Sequence, residues 1–212
     1  RNWRRTSRTM APAARVTALD IFGTEYGIVG NSPDRLLANE KAAGALDRVD
    51  VKVGDMRAMP FDAHTYDGAV SVAAIDHLNR EGVEKTFAEV RRVLKPNGDF
   101  LLTSEGHPNA AEGEHEQPKI RIFGIDGRQK NELPVPELFD INCRGQAVHN
   151  KSLEALTVSP SGHQIVVGNE YALKNDSPSG KDIATTARRA LVYRDDVKGA
   201  MGQWKLVKQV AF

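Results

Sequence analysis

The stretch Glu89-Val-Arg-Arg-Val-Leu-Lys-Pro-Asn-Gly-Asp-Phe-Leu-Leu-Thr103-Ser104-Glu105-Gly106 decides how this chain is read. Upstream of it, Val83, Phe87, Val90, Val93 and Leu94 recur at helical spacing, which predicts a helix over about 81–94. Arg91 and Arg92 sit in its last turn, and Lys95-Pro96-Asn97-Gly98 is a stop signal. Asp99 to Thr103 then reads as a buried strand. Before this join the apolar residues follow a helical period. After it they alternate every second residue.

Working towards the N-terminus, strands and helices take turns. Arg15-Val-Thr-Ala-Leu-Asp20 is a short apolar run tipped by an acid. Glycines follow at 23, 27 and 30, and Ser32-Pro33-Asp34 is a helix start, with Ser at the cap and Pro at the first position. Leu36, Leu37, Ala42 and Ala43 give that helix an apolar side, and Gly44 ends it. Val49, Val51 and Val53 alternate with Asp50 and Lys52, and Tyr66 to Val72 is a further apolar strand. Such alternation implies right-handed crossovers and a mostly parallel sheet. In these sheets ligands bind beyond the C-terminal strand ends, where Asp20, Asp55 and Asp76 stand. A tip acid can accept from ribose hydroxyls or an exocyclic amine, or simply cap the next helix.

Towards the C-terminus the pattern is antiparallel. Lys119 to Gly124, the Asp126-Gly127 turn and Gln129 to Pro136 make one hairpin. Leu153 to Ser159, Pro160-Ser-Gly162 and Gln164 to Gly168 make a second, and Ala190 to Tyr193 with Trp204 to Val210 a third. The segment 109–118 is polar and acidic. His107 and His115 with Glu112, Glu114 and Glu116 offer metal-ligating atoms, but a solvated loop fits their spacing better.

Composition narrows the classes. Lys plus Arg is 29 against 28 Asp plus Glu, a formal net charge of +1, which speaks against a strongly basic nucleic-acid binder. No apolar run approaches the roughly 18 residues of a membrane helix. The single cysteine, Cys143, has no internal disulfide partner. Arg1, Arg4, Arg5 and Arg8 form a basic arm over 1–14, expected to be solvated. No apolar stretch follows Arg4-Arg5, so no signal peptide is expected.

Two resemblances follow. Val16 to Asp20, Val51-Lys-Val-Gly-Asp55-Met56, Tyr66 to Ser71, Asp76-His77-Leu78 and Ala88 to Leu101 together resemble a class I S-adenosylmethionine-dependent methyltransferase over about 13–102. The resemblance implies that Asp20 holds the cofactor ribose, that Asp55 and Met56 frame the adenine, and that Ser71, Val72 and Ala73 line the methionine side. Asp76 or His77 is then the nearest candidate base, with a packed or surface role the alternative for His77. The family's glycine-rich cofactor loop has no counterpart before Asp20, and weakened cofactor binding is expected. Thr103-Ser-Glu-Gly106, Pro118 to Arg128, Leu133-Pro-Val-Pro136, Asn150 to Leu156, Ser159 to Gly162 and Asn169-Glu170 resemble the esterase-like domain of bacterial phytase-type proteins, a β-propeller, over about 99–212. That resemblance implies Glu105, Glu154 and Glu170 facing a channel where they hold Ca²⁺. The alternative for each is a turn or strand-edge acid.

The expected architecture is therefore α/β followed by mainly β. A truncated Rossmann-like methyltransferase segment (15–102) joins a partial β-propeller-like segment (103–212). The leading functional expectation is methyl transfer from S-adenosylmethionine to a small molecule, impaired by the missing loop. A (phospho)ester hydrolase fragment with carboxylate-bound calcium is the alternative, and a non-catalytic chimeric or truncated remnant the third. The methyltransferase reading implies a cytoplasmic protein. Neither nucleic acid nor membrane is expected as a partner, and open strand edges point to self-association.

Overall fold

The computed structural model describes residues 15–23, 30–72, 74–108, 115–142, 144–159, 161–176, 187–195 and 203–211. The arm over 1–14, Gly27, Ala73, Glu112, Glu114, Cys143 and Pro160 lie outside them. Two compact units divide between Pro60 and Phe61.

In the first unit, β1 (Val16–Asp20) pairs in parallel with β2 (Val49–Val53) across α1 (Pro33–Ala42). Ser32 caps α1 as its sequence signals, accepting from Arg35 N at 3.2 Å. Gly44, at φ +69°, lets the chain leave the helix in the left-handed region. The sheet has two strands only, and no described residue of this unit is fully buried. Val16 is 53% and Val53 64% exposed, so little apolar area holds this unit together.

The second unit is built on a mixed sheet in the order β3-β4-β7-β8. β3 (Tyr66–Val72) runs parallel to β4 (Leu94–Ser104), and β4, β7 (Lys119–Gly124) and β8 (Gln129–Leu133) are antiparallel. Between β4 and β7, β5 (His107–Pro108) and β6 (His115–Glu116) form a two-residue ladder within the stretch expected to be a loop. A second sheet is an antiparallel meander of β9 (Leu153–Val158), β10 (Gln164–Asn169), β11 (Arg189–Asp195) and β12 (Trp204–Ala211). The helices after β4 among the described residues are short 3-10 turns, at Glu137–Phe139 and Lys174–Asp176. Neither sheet closes into a barrel or a ring among the described residues.

The helix α2 (Arg80–Val93) buries Gly82, Thr86, Val90 and Val93 along one stripe. Asn79 caps it by accepting from Gly82 N at 2.8 Å. Its other end lies within one residue of the expected position, but the strand after it starts earlier than expected. The strand begins at Leu94, directly after the helix, and Lys95 to Gly98 bulges out of the parallel ladder, where the partner steps from Tyr66↔Leu94 to Gly68↔Asp99. The helix needs no glycine stop because a distant segment satisfies its last carbonyls. His64 N donates to Arg92 O at 2.9 Å and Thr65 N to Val93 O at 2.8 Å.

Alternation along β4 divides the packing. Phe100 lies against Phe87 of α2 and Phe123 of β7, with ring centroids 5.4 and 6.5 Å away. Its neighbour Leu101 joins Ile120, Ile122 and Leu133 in the core shared with Leu153, Ile165, Val167, Leu191 and Tyr193 of the meander. The expected join at 102/103 therefore falls inside one strand with both partners in place.

Candidate metal centre

Glu105 leaves the C-terminal end of β4 in a turn that only glycine can complete. Gly106 sits at φ +77°, and a Cβ there would lie 2.1 Å from Glu116 O. The buried Glu105 side chain accepts from Ser152 N at 2.6 Å. That backbone segment is held in turn by β10, since Glu170 N donates to Ser152 O at 2.7 Å.

Glu154 owes its direction to a β-bulge. The ladder passes from Gly168↔Ala155 to Asn169↔Leu153, so Glu154 is the extra residue on β9 with no partner opposite. Bulges re-aim a side chain in this way. Glu170 follows the last residue of β10. The result is that one carboxylate oxygen from each of Glu105, Glu154 and Glu170 lies within 4.8 Å of the others.

Three carboxylates this close repel one another. The Glu154 carboxyl is pushed up to about 7, first by burial of the carboxyl, then by the charges of Glu105 and Glu170, although the residue as a whole is exposed. Lys151 opposes this, with Nζ 3.1 Å from Glu170 Oε1. Ser152 and Asn169 are 0% and 3% exposed, and Ser152 Oγ and Asn169 Oδ1 are buried without a hydrogen-bond partner. Glu170 Oε2 is likewise buried without a donor. Such orphans are unusual in a folded chain. A cluster carboxylate oxygen without a donor, Glu170 Oε2, suits a hard cation, which takes six to eight oxygen ligands. Sequence reasoning gave no site role to Lys151, Ser152 or Asn169, although Asn169 adjoins Glu170 and the other two lie within three positions of Glu154.

The methyltransferase-type residues stand elsewhere. Asp20 Oδ1 accepts from Phe22 N at 2.6 Å at the tip of β1. Asp55 is forked by Arg57, with Nη2 2.6 Å from Oδ2, which holds its carboxyl below the usual range. Met56 is half-buried in the loop after β2. Ser71 and Val72 end β3, and Asp76 and His77 occupy a 3-10 turn over Ile75–His77, with His77 exposed. Asp20, Asp55 and Met56 belong to the first unit, and Ser71, Val72, Asp76 and His77 to the second.

A family model described as phytase-like, "Esterase-like activity of phytase", matches residues 45–211. The chain belongs to the phytase-like family. The match starts well before residue 99, where the sequence resemblance was drawn, and takes in β2, β3 and α2. The phytase-like chain also shares sequence with methyltransferases. It is 32% identical over 94 residues to the 24-methylenesterol C-methyltransferase 2 of Arabidopsis thaliana, covering 44% of this chain and 24% of that protein. It is 34% identical over 89 residues to a sterol 4-C-methyltransferase of Caenorhabditis elegans, covering 40% and 26%. It thus spans about a quarter of the length of these relatives. Among solved structures, the geranyl diphosphate C-methyltransferase of Streptomyces coelicolor matches 48% of this chain and 34% of its own, at 19% identity and a TM-score of 0.37. The chain carries both resemblances, methyltransferase-like and phytase-like. No helix among its described residues is long and apolar enough to cross a membrane.

Proposed function

We propose that this chain binds a divalent cation, Ca²⁺, on Glu105, Glu154 and Glu170 and works as a (phospho)ester-hydrolysing segment of the phytase-like family. The observation that carries this reading is the three-glutamate cluster, in which Glu170 Oε2 is buried without a donor. A bound cation would polarise a phosphoryl or carbonyl oxygen. Glu105, fixed by Ser152 N, would be the preformed ligand. Glu154, the carboxyl most easily protonated, would release a proton as the cation enters. The meander β9–β12 has the four antiparallel strands of one propeller blade, and in this reading it is one.

The test is titration with Ca²⁺ alongside thermal unfolding. At a hundredfold excess over Kd, binding to the folded chain alone adds about 2.7 kcal/mol of stability, and a chelator removes it. Release of nitrophenol from p-nitrophenyl phosphate, dependent on the cation and lost in Glu105→Gln, reports the reaction. Neither binding nor stabilisation at millimolar Ca²⁺ would end the proposal.

A second reading has its own support in the sterol methyltransferase matches. In it residues 15–102 carry an S-adenosylmethionine site for methyl transfer to a small molecule. Asp20 would take the ribose, Asp55 and Met56 the adenine, and Ser71, Val72 and Ala73 the methionine side. Asp76 or His77 would serve as base. The Arg57 fork on Asp55 would have to open before that carboxylate could accept from an adenine amine. In a chimeric remnant neither activity would appear, and self-association through the open edges of β1 and β3 would be the main behaviour.

A further inference from the structure

The proposed cation site already contains a positive charge. Lys151 Nζ lies 3.1 Å from Glu170 Oε1, and Glu170 and Glu154 both favour its charged form. Three ionised glutamates and one ammonium leave two negative charges, the amount a divalent cation neutralises. Yet the ammonium rests on an oxygen of the residue whose other oxygen, Oε2, has no donor.

The lysine's backbone is fixed while its tip can move. Asn150 takes the left-handed region at φ +56°, which Asn tolerates, and Lys151 N donates to Val148 O at 3.1 Å. Lys151 O accepts from Tyr171 N at 3.4 Å. The side chain runs beside Tyr171, with Nζ 5.3 Å from the ring centroid, within range of a cation–π contact. An ammonium lifted off Glu170 therefore keeps a partner without leaving the site. Arg188 lies on the same residue, its Nε donating to the backbone oxygen of Glu170.

Resting on the cation reading of this cluster, we infer that Lys151 is an internal counter-ion that the divalent cation displaces from Glu170 towards the Tyr171 ring, so that this lysine sets the affinity of the site. It keeps Glu170 compensated when no cation is bound. It also charges every incoming cation the cost of breaking one ion pair, in a partly buried place where such pairs are screened less than at the open surface.

The experiment is calorimetric titration of the whole chain with Ca²⁺ at pH 8, for the parent, Lys151→Met and Lys151→Arg, with circular dichroism to establish that each is folded. Lys151→Met keeps the apolar stem against Tyr171 and removes the charge. It should bind Ca²⁺ at least tenfold more tightly than the parent. Lys151→Arg keeps the charge and should stay within about threefold of the parent. Equal or weaker binding by Lys151→Met overturns the inference while leaving the cation site standing. Tighter binding by both variants also overturns it, because the effect would then not come from charge. Absence of Ca²⁺ binding in all three proteins would remove the cation reading and this inference with it.

Discussion

Replacing Glu154 by Gln removes one charge from the cluster at constant size, and the sign of its effect depends on pH. The folded-state carboxyl titrates at about 7 against an ordinary 4.5. Between those values the folded chain holds more protons than the unfolded one, so cation-free stability falls as pH rises from about 4.5 to about 7 and levels off above. A shift of about 2.5 units at about 1.36 kcal/mol each corresponds to roughly 3.4 kcal/mol. Much of the Glu154 residue is open to solvent, and screening brings this to about 1–2 kcal/mol. Glu154→Gln should therefore stabilise the chain by about 1–2 kcal/mol at pH 8 in chelator and change it little at pH 5, where the parent is already protonated. Urea unfolding at both pH values reads the difference through the midpoint at constant slope. The same variant should lose most of the stabilisation by Ca²⁺. Destabilisation at pH 8, or an effect of equal size at pH 5, would refute the account of a carboxyl raised by burial and by its two neighbours.

Gly106→Ala should cost at least about 2 kcal/mol of stability, measured in urea, because the left-handed backbone and the approach to Glu116 O both exclude a Cβ. A cost under 0.5 kcal/mol would show that the turn relaxes. Tyr193→Phe removes the bond from its hydroxyl to Pro134 O (2.8 Å) and should cost about 1 kcal/mol. An unchanged midpoint would count against that bond. If S-adenosylmethionine binds, Asp20→Ala should weaken it tenfold to a hundredfold, the loss of about 1.5–3 kcal/mol from a charge-assisted hydrogen bond. Unchanged binding in calorimetry would remove Asp20 from the ribose role. Size-exclusion with light scattering tests self-association, where a monomer at all micromolar concentrations would contradict it.

The strands with clear punctuation were legible from residues alone. β2 alternates between Arg48 and Gly54, and β3 is an apolar run, and each has the expected bounds. The three later hairpins followed from Asp126-Gly127, Ser159 to Gly162 and the Val-rich runs around them. The end of α2 was legible to within one residue, but not what satisfies its last carbonyls, which is the backbone of His64 and Thr65, nearly thirty residues upstream, nor that β4 starts directly at Leu94. The approach of Glu105, Glu154 and Glu170 came from resemblance rather than from spacing. Glu105 is 49 positions from Glu154, and the bulge that turns Glu154 depends on register with β10. Lys151, Ser152 and Asn169 carry no local signal. Lys151 reaches Glu170, and Ser152 N reaches Glu105, through pairings distant in sequence.

The strand β4 has a consequence for how such a chain could arise or be redesigned. Phe100 and Leu101 point to opposite faces, one to α2 and the other to the meander. Because the strand period is two, inserting or deleting a single residue between Asp99 and Thr103 would exchange those faces along the rest of the strand. Glu105 would also be carried away from Ser152 N. Any recombination that spliced two ancestral sequences here would have been viable only in one reading phase of the pleat. A protease or a truncation acting inside β4 would separate each core from a residue it buries, rather than release two independent pieces.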